Sequence, residues 1–167
     1  MSVEEHREKS RKTVKVLVVT VSDSRTKETD ISGKIIKEML EKNSHKIVDY
    51  IIIENDANII KTFVENELTW FRAEVIIFNG GTGISSRDIT VNLLDDMLDK
   101  KLDGFGEFFR YLSCKEIGTA AMMSRAMAGV AGSTLVICLP GSPKAVTLAM
   151  EKLVLPEIGH MVMEIFK

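Results

Sequence analysis

The 167-residue sequence contains two cysteines, three prolines and no glutamine, and only 6% of it is aromatic. Cys114 and Cys138 show no CxxC spacing, which excludes a disulfide framework and a cysteine-built zinc site. His6, His45 and His160 are scattered, with no pair at helical spacing, so a histidine-ligated metal is also excluded. Cys138 stands inside an apolar run and reads as core, and the histidines read as surface or helix-end residues. A charge excess is missing too: 22 Lys and Arg against 24 Asp and Glu leave −2. That balance excludes nucleic-acid binding by bulk charge and leaves room for a local patch. The longest apolar run, Leu135 to Leu139, is far below the roughly 20 residues of a membrane span. Residues 1–12 carry seven charges and no apolar stretch, so they are not a secretory signal. They are expected to form a flexible arm before one domain over residues 13–167, in a cytoplasmic protein.

What is present is a core-forming chain. Hydrophobic residues make up 45% of the sequence, and a chain of this size buries about 68–70% of the surface its unfolded form exposes. Val14 to Val21 is a nearly continuous β-branched run of the kind buried on both faces of a sheet. Ile35, Ile36, Met39 and Leu40 recur at helical spacing up to Asn43. Lys46 to Ile53 reads as a second strand, and Asn55 or Asp56 caps a helix with Ile59, Ile60, Phe63, Val64 and Leu68 on one face. Glu74 to Phe78 and Thr134 to Leu139 read as further strands. Helices are expected at Ile89–Leu98, Glu107–Glu116, Met122–Met127 and from Pro143 to the end, with a break near Pro156. Strands alternating with helices predict an α/β three-layer sandwich, a mostly parallel sheet with helices on both faces. In such sheets ligands bind at the carboxyl ends of the strands.

Three loops occupy that edge. Ser22-Asp23-Ser24-Arg25 ends the first strand, Gly80-Gly81-Thr82-Gly83 follows the third, and Pro140-Gly141-Ser142-Pro143 follows the last clear strand. Glycine admits positive φ and lets amide N–H groups approach an anion closely, so the cluster suits a phosphate or nucleotide. Neither the GxxxxGK[ST] pattern nor GxGxxG is present. Asp56 and Asp88 fall on the same edge. Either alone reads as a helix cap, but together beside the glycines they point to Mg²⁺ shared with phosphate oxygens. Arg25, Arg87, Arg125 and Lys144 are the nearby cations suited to an anionic group.

Several motifs occur in order: Asn79-Gly80-Gly81-Thr82-Gly83, Arg87-Asp88-Ile89-Thr90, Gly104-Phe105-Gly106-Glu107, Ser124-Arg125-Ala126 and Leu139-Pro140-Gly141-Ser142-Pro143-Lys144. Together they resemble the MoaB/Mog family of molybdenum-cofactor biosynthesis, which includes the gephyrin G domain. The resemblance spans residues 14–167 and is closest to MoaB between Gly104 and Lys144. It implies a molybdopterin adenylyltransferase that transfers AMP from Mg-ATP to the terminal phosphate of molybdopterin, releasing pyrophosphate. It also implies a homo-trimer or hexamer and a MoeA-type molybdate-insertion partner, with no nucleic acid or membrane. The family's two important aspartates map onto Asp56 and Asp88, with Mg²⁺ assigned to the same pair. Ser22, Asp23, Gly80, Gly81, Thr82, Gly83, Arg87, Ser124, Arg125, Pro140, Gly141, Ser142 and Lys144 are the expected substrate-binding residues. Asn79 departs from the Thr or Ser usual in the family. A non-catalytic molybdopterin-binding or assembly protein of the same fold is the alternative, and the intact Arg87-Asp88-Ile89-Thr90 run favours activity.

Overall fold

A computed structural model describes residues 10–167. The elements run β1 (Lys15–Val21), α1 (Ile31–Lys42), β2 (Lys46–Ile53), α2 (Ala57–Trp70), β3 (Val75–Asn79), α3 (Thr90–Asp96) and β4 (Lys100–Lys101). Then come α4 (Asp103–Ile117), a 3₁₀ segment (Gly118–Met123), β5 (Met127–Ala131), β6 (Thr134–Leu139), α5 (Pro143–Ala149), a π-helical turn (Met150–Val154) and α6 (Leu155–Ile165). The strands form one sheet in the order β2-β1-β3-β6-β5-β4. Pairs β1–β2, β1–β3 and β3–β6 are parallel, and β5 pairs antiparallel with both β6 and β4.

The alternation of side chains along the strands builds two cores, one on each face. Val16 and Val18 of β1, Val75 and Ile77 of β3 and Leu135 and Ile137 of β6 meet Ile36 and Leu40 of α1, Phe109 of α4 and Val146 of α5. Leu17 and Val19, Ile76 and Phe78, and Val136 and Cys138 point the other way, to Ile60 and Val64 of α2 and Leu94 of α3. Helices therefore cover both faces, as the continuous β-branched runs require.

Two segments differ from expectation. The helix expected at Met122–Met127 is absent: the 3₁₀ segment ends at Met123, and Met127 opens strand β5. Ser124 leaves helical geometry at φ −86°, ψ 131°, and the next amide, of Arg125, donates to Thr82 O at 3.0 Å, which diverts the chain toward the sheet. Within β5, a Cβ on Gly129 would lie 2.5 Å from the Lys100 carbonyl, so the close approach of β4 requires glycine there. The break near Pro156 is a π turn. Proline offers no N–H and crowds the carbonyl four residues back, and the widened turn absorbs both effects. The expected arm over residues 1–12 falls largely outside the described residues. Within the remainder, Arg11 pairs with Glu74 and stacks 4.9 Å from the centroid of Phe166. Among the described residues no helix is long and apolar enough to cross a membrane.

Candidate functional site

Register decides which side chains reach the edge. Thr20 of β1 pairs with Asn79 of β3, and Asn79 pairs with Leu139 of β6, so the carboxyl ends of three adjacent strands lie level. Thr20 and Asn79 continue the face that α1 covers, where Asp30 caps the helix by accepting the Gly33 amide at 2.9 Å. A buried network results. Asp30 Oδ2 accepts the Thr20 hydroxyl at 2.5 Å and the Tyr50 hydroxyl at 2.6 Å, and Asn79 Nδ2 donates to Thr20 Oγ1 at 2.7 Å. Burial and the neighbouring Asp30 carboxylate push the Tyr50 phenol above its ordinary value, so it stays a donor.

Above this floor the loops pack on one another. Gly80 has φ +102°, and a Cβ on it would lie 2.6 Å from the Val21 carbonyl; Gly81 has φ +68° and lies against Thr90. The Gly80 amide donates to Leu139 O at 3.0 Å, and Ser32 Oγ donates to Gly141 O at 2.8 Å. A cavity of about 130 Å³ lies between the Ser22 loop, Asp30, Asn79, Gly80 and Gly141. It is smaller than the roughly 300–1,000 Å³ pockets that enclose whole small molecules. It suits a phosphoryl-sized terminus, with the rest of a ligand along the open edge. Larger hollows of about 390 and 840 Å³ lie near β4, α4 and α6 and contain none of these loops. Their linings mix apolar side chains with a few charged ones and bring together none of the candidate residues.

Of the two aspartates, Asp88 closes the loop after Gly83. Its Oδ2 accepts the Ser85 amide at 2.9 Å and the Ser85 hydroxyl at 2.6 Å, and these bonds hold its carboxyl below the usual carboxylate range. Asp56 is exposed and caps α2 through Oδ1, which accepts the Asn58 and Ile59 amides at 2.9 and 3.0 Å. The two are linked through their chain neighbours, because Asn55 Nδ2 donates to Arg87 O at 2.8 Å. Asp23 joins the same cluster. It accepts the Asn55 amide at 2.8 Å and Arg87 Nη2 at 2.9 Å, and both bonds lower its pKa, the Asn55 amide most.

The other expected residues separate by role. Ser22 Oγ folds back on the Ser24 and Arg25 amides, Ser142 caps α5 at Ala145, and Lys144 is exposed on the first turn of α5, beyond Pro140. Thr82 is buried and its carbonyl accepts the Arg125 amide at 3.0 Å. The Arg125 guanidinium binds protein acceptors around the Gly83–Asp88 turn. Sequence reasoning gave no role at this edge to Thr20, Asp30 or Tyr50, and offered Asn55 only as a helix cap, a part that Asp56 takes. Asp30-Ile31-Ser32-Gly33 at the head of a helix is the local pattern that flags Asp30, as a cap.

Among the described residues, three buried side-chain oxygens carry no hydrogen bond: Asn55 Oδ1, Thr90 Oγ1 and Ser124 Oγ. Each adjoins these loops, and a buried oxygen left unpaired costs about 1–3 kcal/mol, so the edge is built for polar contact. Among the described residues no group of three or more His, Cys, Asp and Glu is arranged to hold a metal ion. A two-carboxylate donor set nevertheless fits Mg²⁺, which keeps several waters and binds through one or two carboxylates plus substrate phosphates.

Residues 17–160 match the family model described as a probable molybdopterin binding domain. The molybdenum cofactor biosynthesis protein B of Halalkalibacterium halodurans is 45% identical over 168 residues, covering 100% of this chain and 99% of that protein. A crystal structure of a molybdenum cofactor biosynthesis protein B superposes with TM-score 0.89 at 44% identity, covering 93% of this chain and 97% of the other. The tungsten cofactor synthesizing protein MoaB from Pyrococcus furiosus gives TM-score 0.83 at 35% identity, with 95% and 100% covered. With matches over nearly its whole length, the chain belongs to the MoaB/Mog family of molybdenum-cofactor biosynthesis proteins.

Proposed function

We propose that this chain is a molybdopterin adenylyltransferase acting in molybdenum or tungsten cofactor biosynthesis. The observation that carries the reading is the positive-φ turn Gly80-Gly81, with Asp88 held ionised beside it, at the level ends of three parallel strands. The family's description as a probable molybdopterin binding domain supports the pterin as one ligand. ATP is the second, and the reaction joins them. An oxygen of the pterin's terminal phosphate attacks the α-phosphorus of ATP, a P–O bond forms, and the bond to pyrophosphate breaks. The attacking oxygen is already anionic, so no proton need be removed.

The protein's share is positioning and charge, which dominate phosphoryl-type transfers. The Gly80–Gly83 turn and the Gly141-Ser142 turn cradle phosphates in the cavity beside Asp30. Arg25, Arg87 and Lys144 supply positive charge at the rim, with Arg87 oriented by Asp23. Asp56 and Asp88 would hold Mg²⁺, which would supply neutralising charge to phosphate. The remaining pterin and nucleotide surface lies along the open edge.

Assembly and handover complete the reading. Exposed Phe108, Tyr111, Ile117, Met122 and Met123 on α4 and the 3₁₀ segment suit burial between copies in a homo-trimer or hexamer. The adenylylated pterin passes to a MoeA-type molybdate-insertion protein. A non-catalytic pterin-binding or assembly role is the second reading, favoured by the use of Asp56 as a helix cap. Asp88→Asn separates them: the enzyme reading expects molybdopterin binding to persist and pyrophosphate release to fall. Release at the parent rate in this variant removes the role of Asp88.

A further inference from the structure

We propose that Arg125 is a positioning residue that sets the Gly83–Asp88 turn and so aims Asp88, rather than a ligand of an anionic substrate. The inference rests, for its kinetic consequence only, on the adenylyl-transfer reading. Four bonds carry it. Arg125 Nε donates to Gly83 O at 2.8 Å, Nη2 to Asp88 O at 2.6 Å and Nη1 to Asn92 Oδ1 at 2.6 Å. Its own amide donates to Thr82 O at 3.0 Å. One planar group thus grips the first and last carbonyls of the turn and ties both to α3.

The turn needs such a grip. Residues 84–87 are exposed, with Ile84 70% accessible, so packing does not fix them. Inside the turn the bonds are local: the Asp88 amide donates to Ser85 O at 3.0 Å, Asp88 Oδ2 accepts both Ser85 donors, and the Arg87 amide donates to Ser85 Oγ at 3.3 Å. These bonds fix the shape of the turn but not its place on the sheet edge. Beyond it, Asn55 Nδ2 holds the Arg87 carbonyl. Arg125 adds the anchor at Asp88 itself, and a fixed carbonyl fixes the Cα from which the carboxylate projects. The clamp is itself anchored, because Arg125 precedes Ala126, which is 2% exposed in the core. All three guanidinium nitrogens donate to protein oxygens, and a lysine ammonium cannot reproduce that planar fork.

The test uses the full chain with Arg125→Lys, Arg125→Gln, Asp88→Asn and the double variant Arg125→Lys/Asp88→Asn. Hydrogen exchange across residues 82–90 is read first, without substrate. The proposal expects exchange there to rise about tenfold or more in Arg125→Lys, with β1 and α2 unchanged. Pyrophosphate release follows. Misplacement of a reacting group by about 1 Å can cost 10²-fold, so kcat should fall at least tenfold with KM for ATP and molybdopterin within about threefold. Lys and Gln should be equally poor, and the double variant no slower than Asp88→Asn, because Arg125 acts through Asp88. Unchanged exchange overturns the proposal. So does a lysine variant that restores what glutamine loses, or a KM rise with kcat intact, since both mark a charge ligand. Should Arg125→Lys fail to fold, Asn92→Ala removes one acceptor and should shift exchange and kcat in the same direction by less; no shift overturns the proposal. If the parent chain shows no turnover, the adenylyl-transfer reading fails, while the exchange comparison still decides the role of Arg125.

Discussion

Gly81→Ala provides a quantitative test of how the glycine turn is built. Gly81 has φ +68°, where an L-residue costs roughly 1–2 kcal/mol. A Cβ at this position would also lie 2.1 Å from Thr90 Oγ1, 2.9 Å from Thr90 Cβ and 3.3 Å from Thr90 N. Rotating Thr90 about χ1 moves the hydroxyl but not Cβ, and Thr90 is fully buried at the head of α3, so the backbone has to move. Overpacking of that kind costs about 1–3 kcal/mol. The total is about 2–5 kcal/mol, or a fall in Tm of roughly 4–20 °C for a domain of this size. Gly132→Ala is the control: φ is +57° with nothing within 4 Å of the added Cβ, so it carries the conformational cost alone. Urea unfolding of both variants isolates the steric part as the difference between them. Equal losses, within about 0.5 kcal/mol, refute the claim that Thr90 closes this turn.

Asp30→Ala should destabilise by about 3 kcal/mol or more, since it removes a helix cap and leaves the Thr20 and Tyr50 hydroxyls without their acceptor; a loss below about 1 kcal/mol in urea unfolding contradicts the network. A thiol reagent should label one cysteine per native chain, Cys114, and both after denaturation, because Cys138 is buried. Burial also pushes the Cys138 thiol up to about 12 from 9.0, so the folded state holds this proton more tightly than the unfolded state does. Its stabilising effect is complete below the unfolded value and is lost as pH rises between the two values, at up to about 1.4 kcal/mol per pH unit. Cys138→Ala should remove that alkaline slope, and an unchanged slope in the variant assigns it elsewhere.

The parallel core was legible because β1, β3 and β6 are buried on both faces and must be β-branched and continuous. Strand β5 was not legible: Met127-Ala128-Gly129-Val130-Ala131 shows no alternation of apolar and polar residues and carries a glycine where β4 approaches. The loops of the site were visible as glycine and proline clusters, and their common edge followed from the parallel topology. Their internal wiring was not visible. Asp30 finds Tyr50 across the α1–β2 connection, and Arg125 finds Gly83, Asp88 and Asn92 across the sheet, contacts with no local sequence signature. A charged side chain near an anion site reads as an anion contact until its acceptors are seen. Asp56 illustrates the reverse: the helix cap implied by its position is present, and its assignment to Mg²⁺ remains part of the proposed function.

The central claim is that this edge transfers an adenylyl group. The most direct measurement combines the purified full chain with molybdopterin and Mg-ATP and follows pyrophosphate together with the pterin product. The account predicts one pyrophosphate per adenylylated pterin, dependence on Mg²⁺, and loss of both products in Asp88→Asn. Saturable molybdopterin binding with neither product formed contradicts it and leaves the chain a pterin-binding protein.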